Sequence, residues 1–342
     1  MTTAPDGQGP GSVPLSGVLL VGGGSTRFGS PKALARLRGE TLAERGHRLL
    51  AEACDEVLVV GKAGELEGLP YPVVDDGAAG RAPVHGVVAG MRRARHDVVV
   101  ALPVDVPLVT PGALRALGDA RAVPDADIPL PGAYPGELLG VLEQRVAAGK
   151  LSLRGVNPVT LPLPEGLLAD VDVPERLAEL ERPGHALVVG ATGMLAGLTR
   201  ELAARGHPVT SIARRPAGLG TAVTSVPLDY RDSEALSAAL ARAVEARGPL
   251  ELAVCWIHTD APAAPQLVAA ALAPGARLVQ VFGTRVWPLE DVPLHVAYRK
   301  ALLGSTEGRW LTHDEISAGV LEAVDADQPT RVVGERDDRV AH

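Results

Sequence analysis

Residues 18 to 34 read Val-Leu-Leu-Val-Gly-Gly-Gly-Ser-Thr-Arg-Phe-Gly-Ser-Pro-Lys-Ala-Leu. Gly22, Gly23 and Gly24 lack a Cβ, so the backbone there can turn sharply and lie against a ligand. A loop of this kind points consecutive N–H groups at one place and makes an anion site. Arg27 and Lys32 add two positive charges, a set that suits a triphosphate. Two other phosphate loops are excluded by spacing. A dinucleotide fingerprint counted from Gly22 needs glycine where Arg27 stands, and a Walker loop needs Gly-Lys-Ser/Thr where the chain has Gly29-Ser-Pro-Lys32.

Carboxylates recur at three further places. Asp105 closes the run Val100-Ala-Leu-Pro-Val-Asp105, and a carboxylate at the end of a central strand lies on the ligand crevice of an open sheet. Mg²⁺ takes one or two such carboxylates together with phosphate oxygens and water. Asp75 and Asp76 follow Val73-Val74 and precede Arg81-Ala-Pro-Val-His-Gly86. They face a ribose or base, or they are a solvated loop pair. Asp170 and Asp172 precede Pro174, where one of them caps a helix start.

Strands and helices must carry these groups. Uncharged runs at 18–21, 57–60, 98–102 and 159–163 read as buried strands, and 42–53 and 84–95 as amphipathic helices. A closing helix spans 174–180. Glu181-Arg-Pro-Gly184 is a linker, after which the pattern restarts. Strands are expected at 186–189, 209–213, 250–255 and 277–282, with helices up to Arg205, at 233–245 and at 266–272. Alternation of this kind predicts two doubly wound α/β domains in tandem, each on a mainly parallel sheet. Their expected bounds are 13–182 and 183–334, with tails at 1–12 and 335–342.

The opening stretch resembles the signature of nucleotidyltransferases related to molybdenum cofactor guanylyltransferase, roughly Leu-x-Gly-Gly-x-Ser-x-Arg-(Met/Phe)-Gly-x-x-Lys-(Ala/Gly)-Leu. The resemblance extends from about residue 13 to 181. It implies that Leu20, Val21, Gly22, Gly23, Gly24, Lys32, Asp75 and Asp76 bind a nucleotide, that Arg27, Lys32 and Asp105 serve catalysis, and that Asp105 holds Mg²⁺ with Asp170 as a second contact. Val106 stands where the family has methionine after that aspartate, and Ala82 where it has the first glycine of Gly-Pro-Leu-x-Gly. The implied reaction transfers GMP from GTP to molybdopterin with release of pyrophosphate. Cytidylyl transfer, another phosphate acceptor, and nucleotide sensing without turnover are the alternatives.

In the second half, Gly190-x-x-Gly193-x-x-Ala196 resembles the loop of atypical short-chain dehydrogenases, which implies cofactor contacts from Gly190 and Gly193. Arg214 and Arg215 end the next strand, where arginine suits the 2′-phosphate of NADP. Asp229 resembles the aspartate beside adenine. The catalytic Tyr-x-x-x-Lys is replaced by Tyr298-Arg-Lys300, so NADP binding is expected here while reductase chemistry stays open.

Composition narrows the partners. Net charge is −8, about −5 before residue 182 and −3 after it, so no basic half suits nucleic acid. No run approaches the roughly 20 apolar residues that cross a bilayer. The two cysteines, Cys54 and Cys255, form no framework, and the nine histidines include no His-x-x-x-His pair for zinc. The expectation is a cytoplasmic enzyme on small molecules, with molybdoenzymes or cofactor-biosynthesis proteins as candidate partners.

Overall fold

Leu15, Val18 and Leu19 are buried completely, as a central strand covered by helices on both faces requires. This strand anchors the first of two compact units, which divide between Arg182 and Pro183. The computed structural model describes residues 13–22, 31–62, 64, 66, 68–215, 218–283 and 285–335. Gly23, Gly24, Arg27 and both expected tails, Glu335 excepted, lie outside the described residues.

The first unit runs β1 (Leu15–Leu20), a 3-10 turn (Lys32–Leu34), β2 (Arg36–Leu37), β3 (Glu40–Thr41), α1 (Leu42–Ala53), β4 (Glu56–Gly61), β5 (Val73–Asp75), α2 (Pro83–Arg93), β6 (Val98–Pro103), α3 (Pro111–Ala120), β7 (Gly132–Pro135), α4 (Leu139–Ala147) and α5 (Pro174–Glu181). Its five-stranded sheet has the order β5-β4-β1-β6-β7. All pairings are parallel except β7 on β6. Thr41 starts α1 with a capping box, its hydroxyl accepting from Glu44 N–H while Glu44 accepts from Thr41 N–H. On α2, Gly86 and Gly90 lie one turn apart against β1. A Cβ at Gly86 would stand 2.7 Å from Leu20 Cδ2, and one at Gly90 would stand 2.6 Å from Val18 Cγ2. The strand expected at 159–163 is absent, and only Thr160 bridges to Val123. Pro158, Pro162 and Pro164 remove the N–H donors a ladder needs.

The second unit runs β8 (His185–Val189), α6 (Ala196–Ala204), β9 (Val209–Ala213), β10 (Val223–Pro227), α7 (Ser233–Arg247), β11 (Leu250–Cys255), α8 (Ala264–Ala270), β12 (Leu272–Phe282), β13 (Val296–Leu303), β14 (Ser305–Thr306), β15 (Arg309–Trp310), α9 (His313–Ala326) and β16 (Thr330–Val333). Its seven-stranded sheet has the order β10-β9-β8-β11-β12-β13-β16 and is parallel throughout. Leu198, Leu202, Ile316 and Val320 of α6 and α9 share one core, and Leu236, Leu240 and Val268 of α7 and α8 share the other. The fold class is therefore the tandem α/β arrangement that the alternation implies. Two details differ. The expected helix at 266–272 starts earlier, with Pro265 in its first turn, and Leu272 already belongs to β12. Glu335, expected in the tail, pairs its backbone with Ser305 at 2.7 and 2.8 Å.

Candidate functional site

In the first unit the site is built where β1, β4 and β6 end. Val21 N–H donates to Val60 O at 2.9 Å, and Val104 N–H donates to Leu20 O at 3.1 Å, so the strand ends stay in register past the sheet. Gly22 passes so close to β4 that a Cβ there would lie 3.1 Å from Gly61 Cα. Pro31 leads into the 3-10 turn that carries Lys32 back over the sheet edge.

The Lys32 ammonium bridges two carboxylates, Asp105 Oδ2 at 3.1 Å and Asp172 Oδ1 at 2.6 Å. Asp105 follows β6 and Asp172 precedes α5. The two segments are joined by Val171 N–H donating to Asp105 O at 2.8 Å. Burial pulls the Lys32 pKa down, but hydrogen bonds and charge from Asp172 and Asp105 outweigh it, and the net pKa rises above 10.5. Lys32 stays charged at any physiological pH.

This trio revises one expectation. Asp170, expected as the second metal contact, is exposed two residues upstream, and Asp172 is the carboxylate that meets Asp105 across Lys32. Asp172 does not cap α5 either, since the cap position is Val173 and makes no side-chain cap bond.

Asp75 and Asp76 part company. Asp76 is turned inward, its carboxylate 2.5 Å from Lys62 Nζ and 2.9 Å from Ala78 N–H. Lys62 also donates to Ala78 O, which ties the end of β4 to the loop after β5. Asp75 accepts from Gly77 N–H at 2.8 Å and lines a cleft of about 410 Å³ with His47, Tyr71 and Arg93 at the sheet edge. Sequence reasoning missed Lys62. Its signal was its place directly after the buried run of β4, the same place Asp105 holds near the end of β6.

In the second unit Gly190 and Gly193 adopt φ of +79° and +83°, which only glycine takes without strain. They form the turn between β8 and α6. Arg214 and Arg215 follow β9 and are exposed. Asp229, past β10, is half-buried, and its oxygen lies 3.1 Å from Arg231 Nη1. The Arg231 N–H first, then its guanidinium and that of Arg214, hold the Asp229 carboxyl below the usual 3.8. Tyr298 and Lys300 lie on strand β13, not on a helix. The Tyr298 hydroxyl donates to Gln280 Oε1 at 2.7 Å and accepts from Leu289 N–H at 3.2 Å. Burial pushes its pKa up to about 12. Among the described residues from β12 to β13 there is no helix.

Gly22 packed against Gly61, and Lys32 held between Asp105 after β6 and Asp172 before α5, make a charged site at the strand ends of an α/β unit. Residues 17–148 match the MobA-like NTP transferase domain. The chain is 36% identical over 132 residues to a "Probable molybdenum cofactor guanylyltransferase" of Chloroflexus aggregans, covering 37% of this chain and 64% of that protein. It is 36% identical over 153 residues to one of Opitutus terrae, covering 41% of this chain and 76% of that protein. The chain thus belongs to the MobA-like NTP transferase family. It spans just under two thirds of the Chloroflexus relative. Among solved structures it is similar to a nucleotidyl transferase from Methanothermobacter thermautotroptrophicus at 21% identity and TM-score 0.40, over 49% of this chain and 95% of the other. It is also similar to a metagenomic short-chain oxidoreductase in complex with NADP at 20% identity and TM-score 0.36, over 45% and 97%.

Proposed function

We propose that the first unit transfers GMP from GTP to a phosphate of a molybdopterin-type acceptor, working in the cytoplasm. The observation that carries this reading is Lys32 held between Asp105 and Asp172 at the carboxyl end of the sheet. An acceptor phosphate oxygen attacks the α-phosphorus, the bond from that phosphorus to the bridging oxygen breaks, and pyrophosphate leaves. No protein nucleophile is needed. Catalysis rests on alignment and charge neutralisation. Lys32, Arg27 and the amides of residues 22–24 hold the triphosphate. Asp75 and Asp76 lie toward the nucleoside, with Asp76 fixed by Lys62 and the Ala78 N–H. Asp105 and Asp172 would hold Mg²⁺, since they are hard oxygen donors that already converge on one cation, the Lys32 ammonium. When bound, the metal neutralises charge on the phosphate oxygens.

Pyrophosphate release from GTP, CTP or ATP with molybdopterin present tests this reading. Preference for CTP would sink the guanylyl assignment, and nucleotide binding with no release under any condition would favour a sensor. For the second unit, the reading is NADP binding without hydride transfer. Gly190 and Gly193 receive the pyrophosphate, Arg214 and Arg215 the 2′-phosphate, and Asp229 lies toward the adenine. Molybdoenzymes or other cofactor-biosynthesis proteins are the partners that would receive the product.

A further inference from the structure

The carboxyl edge of the second sheet also carries three elements that the dinucleotide reading does not use. Trp256 follows β11 directly, and its N–H donates to Val189 O at 2.9 Å. Its backbone and Cβ press on the glycine turn, since a Cβ at Gly190 would lie 2.7 Å from Trp256 O and 3.1 Å from Trp256 Cβ. From there the indole reaches across to the end of β12. A Cβ at Gly283 would meet Trp256 Cη2 at 3.3 Å. The same point lies 3.9 Å from Cη2 of Trp310, which arrives from the β14–β15 hairpin. The tips of two indoles thus converge over one glycine, at the switch point where β8 and β11 send the chain in opposite directions.

The position of Trp310 is held firmly although its side chain is 48% exposed. Arg309, beside it, makes a two-pronged pair with Glu315 at 2.7 and 2.9 Å. Arg309 first, then the cap at Thr312, push the Glu315 carboxyl down to about 2. Leu311, on its other side, is buried in the core. An exposed tryptophan on a pinned hairpin loses little freedom when it stacks on a ligand. Polar groups flank the aromatic pair. His258 meets Trp256 edge-on with ring centroids 5.5 Å apart, and His313 lies 3.6 Å from a Cβ placed on Gly193. Both histidines are exposed.

We propose that this edge is a stacking site for a flat heteroaromatic ring, held by Trp256 and Trp310 over Gly283 with His258 and His313 at its ends. Indole faces favour π-systems over aliphatic groups, and the histidines supply the hydrogen bonds that the edge of a heterocycle demands. With no Tyr-x-x-x-Lys helix, the ring is bound and not reduced. Two sources offer such a ring. One is the nicotinamide of a dinucleotide on the glycine turn. The other is a free pterin, the ring system of the molybdenum cofactor named in the relatives.

The test uses the full chain and its tryptophan fluorescence, because two of the three tryptophans sit at the site. NADPH, 2′-phospho-ADP-ribose and a water-soluble oxidised pterin are titrated separately into the parent, Trp310→Ala and Trp256→Phe. A control, Trp287→Phe, removes the remaining tryptophan, which packs on Phe282. If the ring is nicotinamide, Trp310→Ala weakens NADPH about tenfold or more and leaves 2′-phospho-ADP-ribose unchanged. If it is a pterin, the pterin quenches the parent and Trp310→Ala loses about tenfold or more of its affinity, while NADPH is unaffected. The pterin arm does not depend on dinucleotide binding, so failure of the NADP reading and failure of the stacking site are separable. Unchanged affinities for NADPH and pterin in both variants, or no quenching by either ligand, overturn the proposal.

Discussion

In the first unit the ends of β1, β4, β5 and β6 bring Gly22, Lys62, Asp76 and Asp105 to one edge, with Lys32 held between Asp105 and Asp172. In the second unit the matching ends of β8, β9, β10 and β11 bring a glycine turn, Arg214, Arg215, Trp256 and a half-buried Asp229 paired with Arg231. One edge interleaves opposite charges within 3.1 Å of one another. The other offers cations, aromatic rings and left-handed glycines, with Tyr298 locked inside the sheet. Interleaved charge can bind two anions and a metal at once and steady charge that moves between phosphates. Separated arginines and indoles can hold a ligand, but they do not themselves interleave charge around a transferring group. The same sheet architecture thus supports opposite readings, because function lives in the side chains that follow the strands.

The largest expected effect breaks the comparison at its charged end. Asp105→Asn keeps the shape of the side chain but removes one of the two carboxylates on Lys32. Turnover in the pyrophosphate assay should fall at least a hundredfold, about 3 kcal/mol of barrier. The thermal unfolding of the variant should stay close to that of the parent. A variant that turns over normally would make Asp105 a turn residue and leave the two edges alike in being passive.

A second test asks whether the two units are separate in stability as well as in chemistry. Gly90 on α2 and Gly319 on α9 sit where a Cβ would come within 2.6 Å of Val18 and 2.1 Å of Val333. Gly90→Ala should cost the first unit about 1–3 kcal/mol and Gly319→Ala the second unit a similar amount. Calorimetry should show each substitution moving a different transition. Both substitutions moving one common transition would show that the units unfold as one.

Next in size is the cofactor preference of the second edge. A 2′-phosphate on Arg214 makes charge-assisted contacts, so NADPH should bind roughly tenfold tighter than NADH at moderate salt. Arg214→Ser should remove most of that gap and leave NADH affinity similar. Equal affinities for the two cofactors in the parent would remove the arginine argument.

Much of this was legible from sequence, for physical reasons that differ by element. The helix at 42–53 was readable because its apolar face has helical spacing, and its Thr41 and Glu44 cap was already in the sequence. The strands at 98–103 and 250–255 were readable because burial on both faces leaves uncharged runs. The segment at 159–163 misled because its apolar residues alternate with prolines that block pairing. Strand β5 has three residues and β7 is a short antiparallel edge, so neither has length enough to show a period. At the site, Lys32 and Asp105 stood out because each belongs to a spaced motif. Lys62, and the choice of Asp172 over Asp170, depend on which side chains meet across 14 and 140 residues of chain, and no local pattern encodes that. Trp256 and Trp310 are hidden for the same reason, since they meet only over Gly283.

The smallest effect concerns pH and separates the units by a single ring. His185 opens β8 and is buried, with Nδ1 3.0 Å from Gly248 O and Nε2 2.9 Å from Thr210 Oγ1. The carbonyl can only accept, so Nδ1 carries the proton and Nε2 accepts from the Thr210 hydroxyl, as a neutral imidazole can. Burial, assisted by the Arg247 charge and opposed by Gly248 and Glu251, lowers its pKa below the ordinary 6.5. The unfolded chain therefore binds this proton at a higher pH than the folded one. As pH falls through 6.5 toward the lower folded value, the unfolded state gains protons first, and the second unit loses stability. The slope for one group is at most about 1.4 kcal/mol per pH unit. His47 in the first unit is also lowered by burial, but it is held by a stack on Tyr71 with centroids 3.8 Å apart. Its loss should appear in the first transition. His185→Gln should flatten the pH dependence of the second transition between pH 5 and 7 and leave that of the first unchanged. A parent protein whose second transition is already flat across that range would mean that His185 titrates normally in the fold.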